Sequence, residues 1–421
     1  MKLKDVFLNN RKILSNFSYL TILEIFLLIA PIITFPYLVR ILGKELYGWV
    51  ITAQVTASYC TILIEFGFKR ISARHIANQN GDKNKMSITV SSIIILRFIL
   101  WIISFIIYLV VIEVVESYRH QSILFIFSFL TTLSSVLFLD FYFQGIEDMK
   151  YITIVNVLVR GIFVGATFIF IKNSEDYIYV PLLWSIGYVL GGGISMWIVF
   201  NRHKLSFVMP LKSTLLLHLK EGSIIFFSDL MLSVKDKLNY NIMGSLIGMS
   251  DVVIYDVGSK ISGLMQKPVS VICTVLFPRM AKNPNVNNAK KAMLVVFLIS
   301  IIITIIVNVF LPSIVNFFIH EDIDLNAIRL YSISPIILSI SIFIAINVFY
   351  AFGYDKLVLN STIVTTIGYI ILLTIMYCIG LLNSVESFVI LTLSSYFIEM
   401  IYRIVFCNKI FKSKFQKSTV S

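Results

Sequence analysis

Long apolar runs of about 20 residues, separated by short polar segments, make up most of this chain, and that is the length an α-helix needs to cross the hydrocarbon core of a bilayer. Twelve segments qualify: 16–39, 48–67, 88–112, 122–143, 152–171, 180–200, 223–246, 252–277, 292–318, 330–352, 357–379 and 387–406. Apolar residues are 58% of the 421, and no polar stretch is long enough to form a soluble domain. A water-soluble fold would lack the polar surface to cover itself, so the pattern predicts an all-α membrane protein.

The polar segments fix an orientation. With the N-terminus cytoplasmic, the cytoplasmic segments hold 23 Lys and Arg and the external loops only 5 (Arg40, Lys44, Arg119, Lys172 and Arg329). That bias predicts both termini inside. Counting acids as well, the charge is +17 inside, −5 outside and zero within the spans. The net +12 is therefore a property of topology and gives no support to nucleic-acid binding. Residues 1–14 are basic and amphipathic, without a cleavage site, and are expected to lie on the cytoplasmic surface.

The external loops are too short for a folded catalytic domain, which favours transport over enzymology. The longest, about a dozen residues, carries His320, Glu321, Asp322 and Asp324, read as a solvated acidic loop. No GxxxxGK[ST] motif points to nucleotide drive. Cys60, Cys273, Cys378 and Cys407 are scattered, without metal-binding spacing, and are expected to pack as small hydrophobes.

The two halves echo each other. Gly43 precedes Tyr47, then a helix, then Arg74-His75-Ile76-Ala77. Gly248 precedes Tyr255, then a helix, then Arg279-Met280-Ala281. Six spans per half predict parallel repeats, an N-lobe at 1–210 and a C-lobe at 211–421, with the substrate path between them.

Fourteen ionisable residues fall within the spans, and such groups face protein or water rather than lipid. Helical spacing sorts them into stripes. Asp256, Lys260, Gly263, Lys267 and Thr274 share a face of span eight. Gln54, Ser58, Thr61 and Glu65 share one of span two, and Arg97, Trp101, Ser104 and Tyr108 one of span three. Asp229, Ser233, Asp236 and Tyr240 line span seven, Arg160 shares a face with Asn156, and Glu399 and Arg403 are four apart. The stripes predict a hydrated chamber. The structural alternative is internal ion pairing, as of Asp256 with Lys260. Cationic spans seven and eight (Lys235, Lys237, Lys260, Lys267) lean slightly toward an anionic substrate.

The stretches Pro36–Gly48 (PYLVRILGKELYG), Ile64–Asn78 (IEFGFKRISARHIAN), Phe141–Thr153 (FYFQGIEDMKYIT), Lys235-Asp236-Lys237 and Leu276–Lys282 (LFPRMAK) follow one another in an order that resembles the Wzx-type O-antigen and polysaccharide flippases. These belong to the multidrug/oligosaccharidyl-lipid/polysaccharide exporter superfamily. Beyond residue 292 only the hydropathy matches. The resemblance implies twelve helices in two six-helix lobes forming a V around a central cavity. It also implies a bacterial inner-membrane protein that moves undecaprenyl-diphosphate-linked oligosaccharide to the periplasmic leaflet by alternating access.

On that reading, Arg97, Arg160, Lys260 and Lys267 hold the diphosphate, with Lys235 and Lys237 as weaker candidates and Trp101 and Tyr240 stacking on sugars. Glu65, Asp140, Asp229 and Asp256 are counter-charges or bind a coupling proton or sodium ion. Pro31, Pro36, Arg40, Gly43, Tyr47, Gly145 and Glu147 are gating or structural residues, with Gly43, Tyr47, Gly145 and Glu147 expected in loops. No other cofactor is expected. The expected partners are the lipid-linked oligosaccharide, the membrane, and the polymerase and chain-length regulator of the same pathway, with the monomer as the working unit. The rivals are a cation-coupled multidrug exporter of the same fold, whose chamber would be more acidic, and a membrane-embedded glycan polymerase or acyltransferase.

Overall fold

The computed structural model describes residues 3–282, 285–319 and 323–418; the predicted acidic loop at His320–Asp322 lies outside them. Among the described residues there is no β-strand. The helices are α1 (Leu3–Glu65), α2 (Phe68–Asn78), α3 (Lys83–Val114), α4 (Glu116–Arg119), α5 (Ser122–Leu130), α6 (Leu133–Leu137), α7 (Asp140–Gly145), α8 (Met149–Phe170), α9 (Tyr179–Trp197), α10 (Lys212–Leu246), α11 (Met249–Lys282), α12 (Val286–Val309), α13 (Leu311–Phe318), α14 (Asn326–Tyr331), α15 (Ser334–Ile344), α16 (Asp355–Cys378) and α17 (Val385–Ser418). Wider π turns extend α9 over Ile198–Arg202 and α15 over Ala345–Tyr350.

Ten helical stretches among the described residues are long and apolar enough to cross a membrane. The first runs through α1 and holds both of the first two expected spans, separated by a kink at Gly43 (φ 76°, ψ 165°). Pro31 and Pro36 lie inside α1, yet only Gly43 leaves helical geometry. A proline can stay at helical angles while losing one hydrogen bond, whereas a left-handed φ is open mainly to glycine. The seventh expected span lies in α10, 35 residues long. That is roughly 50 Å of helix, but Lys220, Glu221, Asp229, Lys235, Asp236 and Lys237 keep α10 out of the apolar set.

The surface is inverted relative to a soluble protein. On α3, Phe98, Ile99, Ile102, Ile103, Ile106 and Ile107 are exposed, while Arg97, Ser104 and Tyr108 are buried. On α12, Leu294, Val295, Leu298, Ile302 and Ile305 are exposed, and Ser300 and Thr304 are buried. Apolar faces this large need lipid against them. The chain is a multi-pass membrane protein.

The chain divides within α10 into two compact units, one through Leu230 and one from Met231. In the first, Phe68 and Ile76 of α2 pack with Val90, Ile93 and Leu96 of α3 and Phe141 and Phe143 of α7. Gly145 makes that packing possible, since a Cβ there would lie 2.6 Å from the Ile76 Cβ and 2.8 Å from the Ala73 carbonyl oxygen. In the second, Val269, Cys273, Val296, Phe343, Val348, Phe349 and Cys407 form the core. Cys60, Cys273 and Cys407 are buried free thiols, as small hydrophobes should be, whereas Cys378 is exposed.

Helix starts follow local chemistry. Asp82 Oδ1 accepts the Asn84 and Lys85 amides at 3.1 and 3.2 Å and caps α3. Asn285 Oδ1 does the same for α12 through Asn287 and Asn288 at 2.9 and 3.1 Å. Such caps satisfy amides that the first helical turn leaves open.

Candidate functional site

The second unit buries a connected set of charges. Lys235 Nζ on α10 donates to Glu399 Oε2 on α17 at 2.9 Å, and Arg403 Nη2, one turn further along α17, approaches Glu399 Oε1 at 2.5 Å. Arg403 also donates from Nε to Ser361 Oγ at 3.1 Å, and from Nη1 to the Ser341 carbonyl at 3.1 Å and its Oγ at 2.9 Å. Lys235 lies over the Tyr396 ring, 5.2 Å from its centroid, and 3.7 Å from Asp236 Oδ1. With all three side chains under 10% exposed, each charge survives burial only because the others are present.

One turn along α10 a neutral network continues. Asn239 Nδ2 donates to Tyr255 Oη at 3.0 Å and to Thr392 Oγ1 at 2.8 Å, and its Oδ1 accepts from Tyr369 Oη at 2.7 Å. Tyr240 Oη donates to Asp256 Oδ1 at 3.3 Å, and Lys260 pairs with the same carboxylate. The span-eight stripe thus starts buried at Asp256, is half-buried at Lys260, and is exposed at Gly263, Lys267 and Thr274.

The first unit holds a second charged set at the junction of α1, α2, α3 and α7. Arg97 Nη1 donates to the Phe138 carbonyl at 3.0 Å, and its guanidinium lies 5.1 Å from the Phe141 ring centroid. That carbonyl is free to accept because the chain leaves helical geometry between α6 and α7. Asp140 begins α7 and takes Lys69 Nζ at 2.6 Å. Glu65 ends α1 within electrostatic reach of Arg97, Lys69, Asp140 and Asp229.

Several expected residues do not sit as the sequence implied. Arg97 is 1% exposed, so in this conformation it has no surface to offer a ligand. Arg160 lies 5.5 Å from the Trp184 ring centroid. Trp101 donates from Nε1 to Thr132 Oγ1 at 3.0 Å and stacks with Phe98 and Phe105, an aromatic packing role. Gly43 and Tyr47 lie within α1 rather than in a loop, and Tyr47 is buried edge-on to Phe35 at 5.2 Å. Gly145 closes α7, and Glu147 follows in a left-handed turn with φ 57°. Arg40 is exposed on α1, and Pro36 is buried. In the run Lys235-Asp236-Lys237, Lys235 is buried, Asp236 exposed and Lys237 half-buried.

Sequence reasoning missed Asn239, Thr392, Tyr369, Ser341 and Ser361. Asn239 was legible in principle: it stands four residues after Lys235, on the same helical face. The stripe chosen instead, Asp229–Ser233–Asp236–Tyr240, is the adjacent face.

In the first unit, α10 is fastened to α2. Arg70 Nη2 lies 3.3 Å from Asp229 Oδ1, His75 Nε2 lies 2.8 Å from Glu221 Oε2, and Arg74 Nη2 lies 3.6 Å from the same oxygen. Phe66 and Phe226 stack at 4.6 Å. The His75 hydrogen bond, aided by Arg74, holds the Glu221 carboxyl below its usual value, and burial beside His75 lowers the His218 imidazole. Both folded values lie below the unfolded ones. The stability they lend is complete near neutrality, begins to fade as His218 would protonate below about pH 6.5, and is lost further as Glu221 protonates. Hydrogen exchange of the α2 amides is therefore expected to accelerate from pH 7.5 to pH 5 after correction for intrinsic rates, and His218→Gln should flatten that dependence. An unchanged corrected rate would rule out the fastening as a pH-dependent contact.

The fold is that of the multidrug-resistance MATE transporters. A solved structure titled as the inward-facing conformation of one, in the MOP superfamily, superposes with a TM-score of 0.72 at 14% identity, covering 91% of this chain and 96% of that one. Residues 13–284 match the family described as "Polysaccharide biosynthesis protein", and the chain belongs to that family. A candidate O-antigen transporter of Escherichia coli (strain K12) is 26% identical over 293 residues, 68% of this chain and 69% of the relative. One of Shigella dysenteriae is 26% identical over 256 residues, 60% of this chain and 63% of the relative.

Proposed function

We propose that this chain moves an undecaprenyl-diphosphate-linked oligosaccharide, an O-antigen or related polysaccharide unit, from the cytoplasmic to the periplasmic leaflet of a bacterial inner membrane. At the coarser level it is a polysaccharide transporter of the MOP superfamily and not an enzyme. The observation that carries the reading is the family match over residues 13–284, which spans the first unit from residue 13 on and the Asp256–Lys260–Lys267 stripe of α11. The termini lie on the cytoplasmic side in this reading, and the two units alternate access. Lys260 and Lys267 bind the diphosphate, as charge-assisted donors that remain at least partly exposed. Arg160 assists, while Arg97 acts by holding the α6–α7 break. Asp256 and Glu65 are the sites at which a coupling proton or sodium ion is read.

Deletion in the native host tests this. Lipid-linked repeat units should accumulate on the cytoplasmic leaflet, detected by mass spectrometry of extracted lipids after periplasm-side enzymatic labelling, and surface polysaccharide should fall. Normal surface polysaccharide with no accumulation would refute the reading. The likeness to multidrug transporters supports a second reading, export of organic cations. Drug sensitivity on deletion, with normal polysaccharide, would favour it.

A further inference from the structure

We infer that the second unit carries a binding site for one anionic phospholipid, in a groove between α12, α15 and α17. This site rests on the fold alone and stands whatever the transported substrate is.

The groove has a volume of about 350 Å³. Lys290, Met293, Leu294 and Phe297 line it from α12 at spacings i, i+3, i+4 and i+7, and α17 supplies the same spacing from Ile404 to Phe411. Seven residues of helix rise about 10 Å, so two parallel apolar walls run side by side for that length with α15 as the floor. The shape accepts an alkyl chain lying along the helices. Leu294 is 57% exposed and continues into the exposed Val295 and Leu298, so the groove opens sideways, where lipid covers the protein.

One end is chemically different. Lys290 stands there, its Nζ 5.8 Å from the Phe411 ring centroid, with the amide of Asn408 also lining the groove. Among the described residues no Asp or Glu lines the groove. Lys291, Lys409 and Lys412 are exposed on the same helix ends. A cation and an amide donor at the mouth suit a phosphate, and the described lining offers no carboxylate to the ammonium of a zwitterionic headgroup. Basic pockets between helices at a membrane surface recognise acidic headgroups in this way. A soluble anion fits less well, because the body of the groove is apolar and faces lipid.

The test uses the full chain purified in detergent, offered equal amounts of phosphatidylglycerol, phosphatidylethanolamine and a polyprenyl phosphate, with retention read by native mass spectrometry. Phosphatidylglycerol is expected to be retained over phosphatidylethanolamine by about fivefold, the size expected from one lysine beside an anionic headgroup. Lys290→Gln should erase that preference and Lys290→Arg should keep it. Met293→Trp, filling the groove, should lower retention of the phospholipids, whereas Leu298→Trp on the neighbouring exposed face should not. Equal retention of both phospholipids by the wild type, an unchanged preference in Lys290→Gln, or preferred uptake of the polyprenyl phosphate would each overturn the assignment.

Discussion

Glu399→Ala is expected to destabilise the protein by about 3–5 kcal/mol, the usual consequence of removing one partner from a buried ion pair. The reason is geometric. Among the described residues, Glu399 is the one carboxylate that contacts both Lys235 Nζ and Arg403 Nη2, and all three side chains are under 10% exposed. Without it, two cations are left in a low-dielectric interior, Lys235 with the more exposed Asp236 at 3.7 Å and Arg403 with no other carboxylate pairing among the described contacts. Removing a cation should do less. Lys235→Met leaves Glu399 paired with Arg403, and Arg403→Met leaves it paired with Lys235 while freeing Ser341 and Ser361. The expected order of damage is Glu399→Ala, then Arg403→Met, then Lys235→Met, read as loss of thermal stability in one detergent. If Lys235→Met proved the most damaging, Glu399 would not be the hub of the cluster.

Most of the fold was legible because a bilayer enforces simple rules. Apolar length marked the helices, and the inverted surfaces of α3 and α12 follow directly from the runs of Ile, Leu and Val. The i, i+4 relation of Glu399 and Arg403, and that of Asp256 and Lys260, could also be read from spacing, and both pairs form. What could not be read is which face of a mixed helix turns inward. Within Lys235-Asp236-Lys237, successive side chains point about 100° apart, so one residue of error in phase exchanges Lys235 for Asp236. Neutral partners were hidden for a related reason. Tyr369, Thr392 and Ser341 look like ordinary span residues until tertiary packing brings them against Asn239 and Arg403. The basic segment 68–87 shows the opposite error. Its charge leaves it outside the apolar spans 48–67 and 88–112, but Phe68, Ile71, Ser72 and Ile76 share one face, and α2 forms by burying that face while Lys69, Arg70 and Arg74 stay outside.

That separation of buried from accessible charge shapes the second large prediction. On the proposed function, Lys267→Ala should reduce export by roughly tenfold or more, because a hydrogen bond to a charged group is worth about 1.5–3 kcal/mol and each 1.4 kcal/mol is a factor of ten. Lys267 is exposed on α11, about three turns beyond Asp256, the buried acid of its stripe, at a position that a diphosphate can approach. Lys260→Ala should reduce transport as well, with an added loss of stability, since it removes the cation paired with Asp256 and leaves that carboxylate with the Tyr240 hydroxyl alone among its described hydrogen-bond donors. Arg97→Ala should fail differently: protein level should fall along with export, because its guanidinium holds the Phe138 carbonyl at the α6–α7 break rather than a ligand. Complementation of surface polysaccharide in a deletion strain, normalised to membrane level, distinguishes the three. Full export by both Lys260→Ala and Lys267→Ala at normal level would remove these lysines from the substrate path. Restored export in Lys267→Arg would tie the effect to charge at that position rather than to side-chain shape.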